Sequence, residues 1–267
     1  METKPRKGSD LRIRILSGVV LAVVGLVCVH FGEPWFTALV MVVALLMIYE
    51  WNRIVDGFGL GPTFSIHAPV IVVVLLAGAY GEYRFGLALI ASGALAGFVA
   101  AVLRKQERLW PTLAVPYIGL PCLAMLWLRY DAATGTALVY WLLASIWATD
   151  TGAYVAGRSI GGPKLAPRIS PKKTWAGLIG GVVAATVAGG LTAWAVELPR
   201  PVVFGAISGM IGAWSQVGDL SESAVKRHFG VKDSSNLIPG HGGFLDRLDG
   251  LLFAAPVAAA AVLLGAL

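Results

Sequence analysis

Long apolar runs separated by short polar turns recur along the whole chain. Each run is long enough, or nearly long enough, to cross the roughly 30 Å hydrocarbon core of a bilayer as an α-helix. The turns between them contain Gly, Pro and charged residues, which interrupt helices. The pattern predicts an all-α, polytopic integral membrane protein with about nine transmembrane helices, at Ile13–Phe31, Trp35–Tyr49, Ile66–Tyr80, Phe85–Leu103, Leu113–Leu128, Thr136–Val155, Trp175–Val196, Val202–Val217 and Leu251–Leu267.

Composition strengthens the membrane assignment. Of the 267 residues, 57% are hydrophobic and 13% are charged, and the mean hydropathy is +0.75. A soluble domain has about 25% charged residues, so these values exclude a soluble enzyme, a disordered chain and a disulfide-rich secreted module. We expect one membrane domain over residues 1–267, in which residues 1–130 supply N-terminal spans and residues 131–267 carry the active site.

The distribution of basic residues predicts the orientation. With the N-terminus in the cytoplasm and nine spans, eighteen of the 21 Lys and Arg residues fall on the cytoplasmic side, as the positive-inside rule requires. We therefore expect the C-terminus on the opposite side. The run Ile13–Phe31 is long for a signal peptide, and no small-residue cleavage site follows it before Glu33, so we expect a retained first span. The formal charge of +6 reflects this topology and does not indicate nucleic-acid binding, because no basic stripe alternates with exposed aromatic residues.

Two polar segments on the predicted cytoplasmic side, at about 156–174 and 218–250, are the places where chemistry on a cytosolic substrate is expected. In the second segment, Asp219 and Glu222 are three residues apart, as are Asp246 and Asp249, so each pair shares one face of a helix. Carboxylate pairs at the membrane ends of helices are costly unless a cation neutralises them. Mg²⁺ is a natural candidate, because it binds a few carboxylates together with water and phosphate oxygens.

Basic residues accompany these acids. Lys226, Arg227, Lys232 and Arg247 lie in the same segment, and the turn Pro239–Gly243 contains three glycines whose N–H groups could approach a phosphate. Metal-binding acids beside phosphate-binding bases are typical of phosphoryl or nucleotidyl transfer. His241, within the turn, is a candidate contact to phosphate or base, although an isolated loop histidine is as often only solvated.

The first polar segment adds a second basic cluster. Asp150 lies within an apolar run and is expected to face a polar cavity, a partner or the metal. Lys172 and Lys173 directly precede a predicted helix, where they could hold anions or simply anchor the span by the positive-inside rule. Two pairs of glycines at GxxxG spacing, Gly93/Gly97 and Gly205/Gly209, are consistent with close helix packing or with a homodimer.

The spacing of these residues resembles the signature of the phosphatidate cytidylyltransferase family. The resemblance rests on SAVKR, KD, PGHGG and DRLDG, supported by GDLSES and by DTGAY…GR…SPKKTW, and covers about residues 147–250. One departure is Ala176, where the family usually has Glu. The resemblance implies that CTP and phosphatidic acid react with Mg²⁺ to give CDP-diacylglycerol and pyrophosphate.

The same resemblance implies roles for individual residues. The metal-binding acids would be Asp219 and Asp246, and the expected catalytic residues are Asp219, Lys226, Asp246 and Asp249. The expected substrate-binding residues are Lys172, Lys173, Ser223, Arg227, Lys232, His241 and Arg247.

Two other functions stay open at this point. A CTP-dependent lipid kinase of the polyprenol or phytol type would need similar acids and bases. A transporter with intramembrane acids is disfavoured, because the charges gather at the predicted cytoplasmic ends of the spans. We expect the protein in the bacterial inner membrane, among membrane lipids, with its active site facing the cytoplasm.

Overall fold

The computed structural model describes the backbone of residues 7–267 and the side chains from Arg12 onward. In that part of the chain a short antiparallel hairpin, β1 (Lys164–Ala166) and β2 (Ser170–Thr174), stands between the sixth and seventh of nine α-helices. The helices are α1 (Lys7–Phe31), α2 (Trp35–Asp56), α3 (Pro62–Ala79), α4 (Tyr83–Leu103), α5 (Leu109–Tyr130), α6 (Gly135–Ser159), α7 (Trp175–Ala195), α8 (Pro201–His228) and α9 (Leu245–Leu263).

Each predicted apolar run lies largely within one of these helices, but two features differ from the sequence prediction. The hairpin adds two strands to a fold expected to be all-α. In addition, α8 continues past Val217 to His228, and α9 begins at Leu245, so helix takes up both ends of the expected polar segment. Charged pairs at i,i+4 spacing, such as Glu222 with Lys226, stabilise such an extension.

The outer surface of the bundle is apolar, as expected for a protein in lipid. Along α7, one side chain per turn is 56–62% exposed, at Ile179, Val183, Val187 and Leu191. Among the described residues, six helices are long and apolar enough to span a bilayer, namely α1 from Arg12 onward, α2, α3, α4, α5 and α7. The protein is therefore an integral membrane protein. The full count of nine spans and their orientation stay predictions.

The three remaining helices are those that carry the acidic candidates. Asp150 lies on α6, Asp219 and Glu222 lie on α8, and Asp246 and Asp249 lie on α9. α7 packs against both α6 and α8, and α9 packs against α8 and α5, which connects this group to the bundle of α2–α5. Buried apolar side chains from both halves of the chain form one continuous core.

Small residues allow the closest helix contacts. At Gly97 of α4 an added Cβ would collide with the backbone of Pro111 on α5, and at Gly205 of α8 it would lie 2.9 Å from the carbonyl oxygen of Thr186 on α7. Both GxxxG pairs thus serve packing within the chain. The homodimer stays a prediction.

One end of the bundle collects the candidate site, and we call it the basic end. It contains the part of α1 around Ser17, the first turn of α9, the last turns of α2 and α8, and the hairpin. There, the hydroxyl of Ser17 donates to the carbonyl oxygen of Pro239 at 3.2 Å. At the opposite end, Arg129 donates to the carbonyl oxygen of Val29 at 2.8 Å.

Candidate active site

Asp246, in the first turn of α9, is surrounded by protein donors. Its Oδ1 lies 2.5 Å from Nζ of Lys226, and its Oδ2 accepts hydrogen bonds from the N–H and hydroxyl of Ser234 and from the N–H of Gly243, at 2.8–3.0 Å. Although burial acts to raise its pKa, Lys226 and these N–H groups hold the pKa of Asp246 below its usual value. Both carboxylate oxygens are therefore occupied by the protein itself.

Lys226 binds a second carboxylate on its own helix. Its Nζ lies 2.5 Å from Oε2 of Glu222, whose side chain is only 3% exposed. Burial raises the pKa of Glu222 to about 7, against the opposing effect of Lys226. Burial also acts to lower the pKa of Lys226, but Glu222 and Asp246 raise it above its ordinary value, so the ammonium stays charged between the two acids. Among the described residues, Oε1 of Glu222 has no hydrogen-bond partner.

The hairpin brings Lys173 to α8. On β2, Lys172 is exposed, whereas Lys173 is half-buried and turns toward the bundle. Nζ of Lys173 lies 2.6 Å from Oδ2 of Asp219 and 3.1 Å from Oε1 of Gln216. Thr174 ends the strand and caps α7, because its hydroxyl accepts from the N–H of Gly177 at 3.0 Å.

Several carboxylates face one another where α6, α8 and α9 meet. Desolvation raises the pKa of Asp249 well above its usual value, and the charges of Asp219, Glu222 and Asp150 raise it further. Oδ1 of Asp249 accepts from the N–H of Gly250 at 2.7 Å. α8 and α9 approach closely here, because a Cβ at Gly218 would lie 2.5 Å from the carbonyl oxygen of Asp249. The site thus concentrates carboxyl groups, each of which opposes the ionisation of Asp249.

This carboxylate cluster does not form a ready-made metal cage. Among the residues that the structure describes, no three His, Cys, Asp or Glu side chains are arranged to hold a metal ion. Mg²⁺, however, needs only one or two carboxylates when water and substrate phosphates complete its shell. Asp219 and Asp249 fit that role, since their mutual repulsion would be relieved by a cation. In this conformation a cation at Asp246 would share Oδ1 with the ammonium of Lys226, because Oδ2 already accepts three hydrogen bonds.

The Pro239–Gly243 turn is held by neighbouring side chains. Nδ1 of His241 lies 2.9 Å from the hydroxyl of Ser17 on α1, and the carbonyl oxygen of His241 accepts from Nε of Arg247 at 2.9 Å. Partial burial and the nearby positive charges of Arg247 and Arg14 lower the pKa of His241, which favours its neutral form. Gly242 has a φ of 84°, a conformation that suits glycine.

The remaining predicted residues lie around this centre. Ser223 is half-buried with its hydroxyl 3.5 Å from Oδ1 of Asp219. Arg227 is exposed and donates to the carbonyl oxygen of Val231 at 3.2 Å. Lys232, Lys172 and Arg247 are exposed at the same end. These cations are thus accessible to an anionic substrate, whereas the ammonium of Lys226 is already engaged by Glu222 and Asp246.

The sequence reasoning missed Glu50, Ser234 and Ser235. Glu50 is fully buried on α2, where it accepts hydrogen bonds from both serines and from the first N–H groups of α9. The one signal in the sequence was a carboxylate directly after the apolar run that ends at Tyr49. Sequence spacing could not reveal its partners, which lie more than 180 residues away.

Comparison with known proteins connects this arrangement to a family. Residues 12–264 match the model of the Cytidylyltransferase family. The chain belongs to that family. The resemblance drawn from the sequence signature is confirmed.

Three relatives are similar over nearly their whole length, and each carries the name phosphatidate cytidylyltransferase. The protein from Brucella suis biovar 1 (strain 1330) is 39% identical, over 92% of this chain and 91% of its own. Those from Bacillus subtilis (strain 168) and Haemophilus influenzae (strain ATCC 51907 / DSM 11121 / KW20 / Rd) are 35% and 33% identical, each over 92% of this chain and 96% of its own.

Proposed function

We propose that this protein transfers the CMP part of CTP to phosphatidic acid, giving CDP-diacylglycerol and pyrophosphate. Family membership over almost the whole chain carries the proposal. The site supports it, because the basic end combines clustered carboxylates with exposed cations, the equipment that nucleotidyl transfer needs. A lipid substrate also explains why an enzyme acting on a nucleotide is built into a membrane.

The reaction requires charge neutralisation more than proton transfer. An oxygen of the phosphatidate phosphate, already anionic at neutral pH, forms a bond to the α-phosphorus of CTP. The bond from that phosphorus to the oxygen bridging to the β-phosphate breaks, and pyrophosphate leaves with the electron pair. No general base is needed for this step. Lys173, Lys172, Arg227, Lys232 and Arg247 would hold the phosphates, because they lie at the same end of the bundle as the acids.

Within this proposal Asp219 and Asp249 would hold Mg²⁺. When bound, the ion supplies positive charge against the triphosphate and the departing pyrophosphate. Lys173, which is paired with Asp219, would then be released toward a substrate phosphate. Lys226 would keep Asp246 and Glu222 in place. The earlier assignment of Asp246 as a metal ligand stays a prediction.

We also propose that all nine helices span the bilayer and that the basic end faces the cytoplasm of a bacterium, in its inner membrane. The positive-inside distribution supports this orientation, and so does the source of CTP, which is cytosolic.

Radiolabelled CTP tests the function directly. The purified protein in detergent micelles is given phosphatidate, Mg²⁺ and CTP labelled at either the α- or the γ-phosphorus, and the lipid product is separated by thin-layer chromatography. Transfer of the α-label to lipid is the expected result. Transfer of the γ-label would instead identify a CTP-dependent lipid kinase and refute the proposal.

A further inference from the structure

Glu50 connects the N-terminal half of the bundle to the candidate active site. Its Oε1 accepts from the hydroxyl of Ser235 at 2.6 Å and from the N–H of Phe244 at 2.9 Å. Its Oε2 accepts from the N–H of Leu245 at 2.8 Å and from the hydroxyl of Ser234 at 3.1 Å. One carboxylate on α2 thus binds both ends of the segment that joins Ser234 to the start of α9.

The setting of this carboxylate is unusual. Glu50 is 0% exposed, and none of its described hydrogen-bond donors is a cation. A buried carboxylate is costly unless donors replace its water. Here the donors include N–H groups at the N-terminus of α9, where the helix dipole favours a negative charge. These four donors offset the free-energy cost of burying Glu50, and the same hydrogen bonds hold the segment in place.

The segment held by Glu50 is also the one that surrounds Asp246. The hydroxyl of Ser234 lies 3.1 Å from Oε2 of Glu50 and 2.9 Å from Oδ2 of Asp246. It carries one proton, so the two carboxylates share this single donor. Gly243, whose N–H donates to Asp246, passes so close to Glu50 that a Cβ there would collide with it. Any movement of Glu50 would therefore shift donors of Asp246.

We propose that Glu50 is a positioning residue for the nucleotidyl transfer, an inference that rests on the proposed function. It holds Ser234, Gly243 and the first turn of α9 so that Asp246 keeps Lys226 in place beside the acids of α8. Glu50 itself touches no substrate, because it is fully buried.

Replacing Glu50 with Gln tests this role while keeping the shape of the side chain. Oε1 and Oε2 each accept a backbone N–H, so either orientation of the amide sets its NH₂ group against the N–H of Phe244 or of Leu245. We expect kcat per folded molecule to fall by about 10- to 100-fold, as for other residues that orient a site through hydrogen bonds. We also expect faster hydrogen exchange across residues 234–246, measured by mass spectrometry.

Two further variants complete the test. Glu107→Gln makes the same chemical change at an exposed site of the basic end and should match the wild type in both measurements. Ser235→Ala removes a hydrogen-bond donor that contacts Glu50 but not Asp246, so it should also lower kcat. This variant keeps the test decisive if Glu50→Gln does not fold.

The outcomes separate the two proposals. α-Label transfer by the wild type, together with unchanged kcat per folded molecule in Glu50→Gln and Ser235→Ala, would overturn the positioning role alone. A wild-type chain that transfers no α-label would overturn the proposed function, and with it the role of Glu50 in that reaction. The hydrogen-exchange measurement would still show whether Glu50 holds residues 234–246 in place.

Discussion

Replacing Lys226 with Met removes the ammonium group between two buried carboxylates while keeping an unbranched, flexible side chain as far as the ε-carbon. The carboxylates of Glu222 and Asp246 are 3% and 6% exposed, and each lies 2.5 Å from Nζ. Removing one partner of a buried ion pair costs about 3–5 kcal/mol, because the remaining charge stays buried without compensation. We therefore expect the free energy of unfolding to fall by about 3 kcal/mol or more at pH 8.

The same variant should show a dependence on pH with a defined sign. The pKa of Glu222 is raised from its ordinary value of 4.5 to about 7 in the folded protein, so its ionised form opposes folding above about pH 7. Loss of Lys226 raises this pKa further, since Lys226 acts to lower it. Below pH 7, Glu222 becomes protonated and needs no counter-charge. The destabilisation of Lys226→Met should therefore be smaller at pH 6 than at pH 8.

Denaturant titration in detergent micelles at pH 6 and pH 8, followed by circular dichroism, measures both effects. Lys164→Met provides the matched control, because Lys164 is exposed on β1. An unfolding free energy for Lys226→Met equal to that of the wild type at pH 8 would refute the reasoning that Lys226 compensates the two buried acids.

Three further changes test other parts of the site. Asp246→Asn should abolish turnover while the protein stays inserted and folded, as judged by gel filtration in detergent; normal turnover would contradict a role for Asp246. Asp219→Asn should weaken the activation of turnover by added Mg²⁺ more than tenfold, and an unchanged Mg²⁺ titration would exclude Asp219 as a ligand. Gly243→Ala places a Cβ against Glu50 and should lower the thermal unfolding temperature. The control is Gly25→Ala, where no atom lies within 4 Å of the added Cβ, and it should not lower that temperature. Equal unfolding temperatures for the two variants would contradict the close packing around Glu50.

The apolar runs located the helices well, because a helix that crosses lipid must be long and apolar. It placed the ends of α2, α8 and α9 poorly, since those turns lie beyond the apolar runs and are stabilised by polar contacts. The hairpin was missed for a related reason: its strands, Lys164–Ala166 and Ser170–Thr174, are too short for a repeating pattern.

The candidate site was predictable only as a set of residues. The signature grouped Asp219, Lys226, Asp246 and Asp249, and all four lie at the basic end. The pairing of Lys226 with Glu222 follows from their i,i+4 spacing on one helix, but the pairings between elements were not predictable. The structure shows that Lys226 lies between Glu222 and Asp246 and that Lys173 pairs with Asp219.

The sequence by itself determined that this chain is a membrane protein of the cytidylyltransferase family, because hydropathy and signature spacing are local properties of the chain. Tertiary structure alone decided which charges meet between different elements. Ion pairs and hydrogen bonds act over about 3 Å, whatever the separation along the chain. The bond from Leu245 to Glu50 crosses 195 positions, so only the packing of α2 against the start of α9 could reveal it.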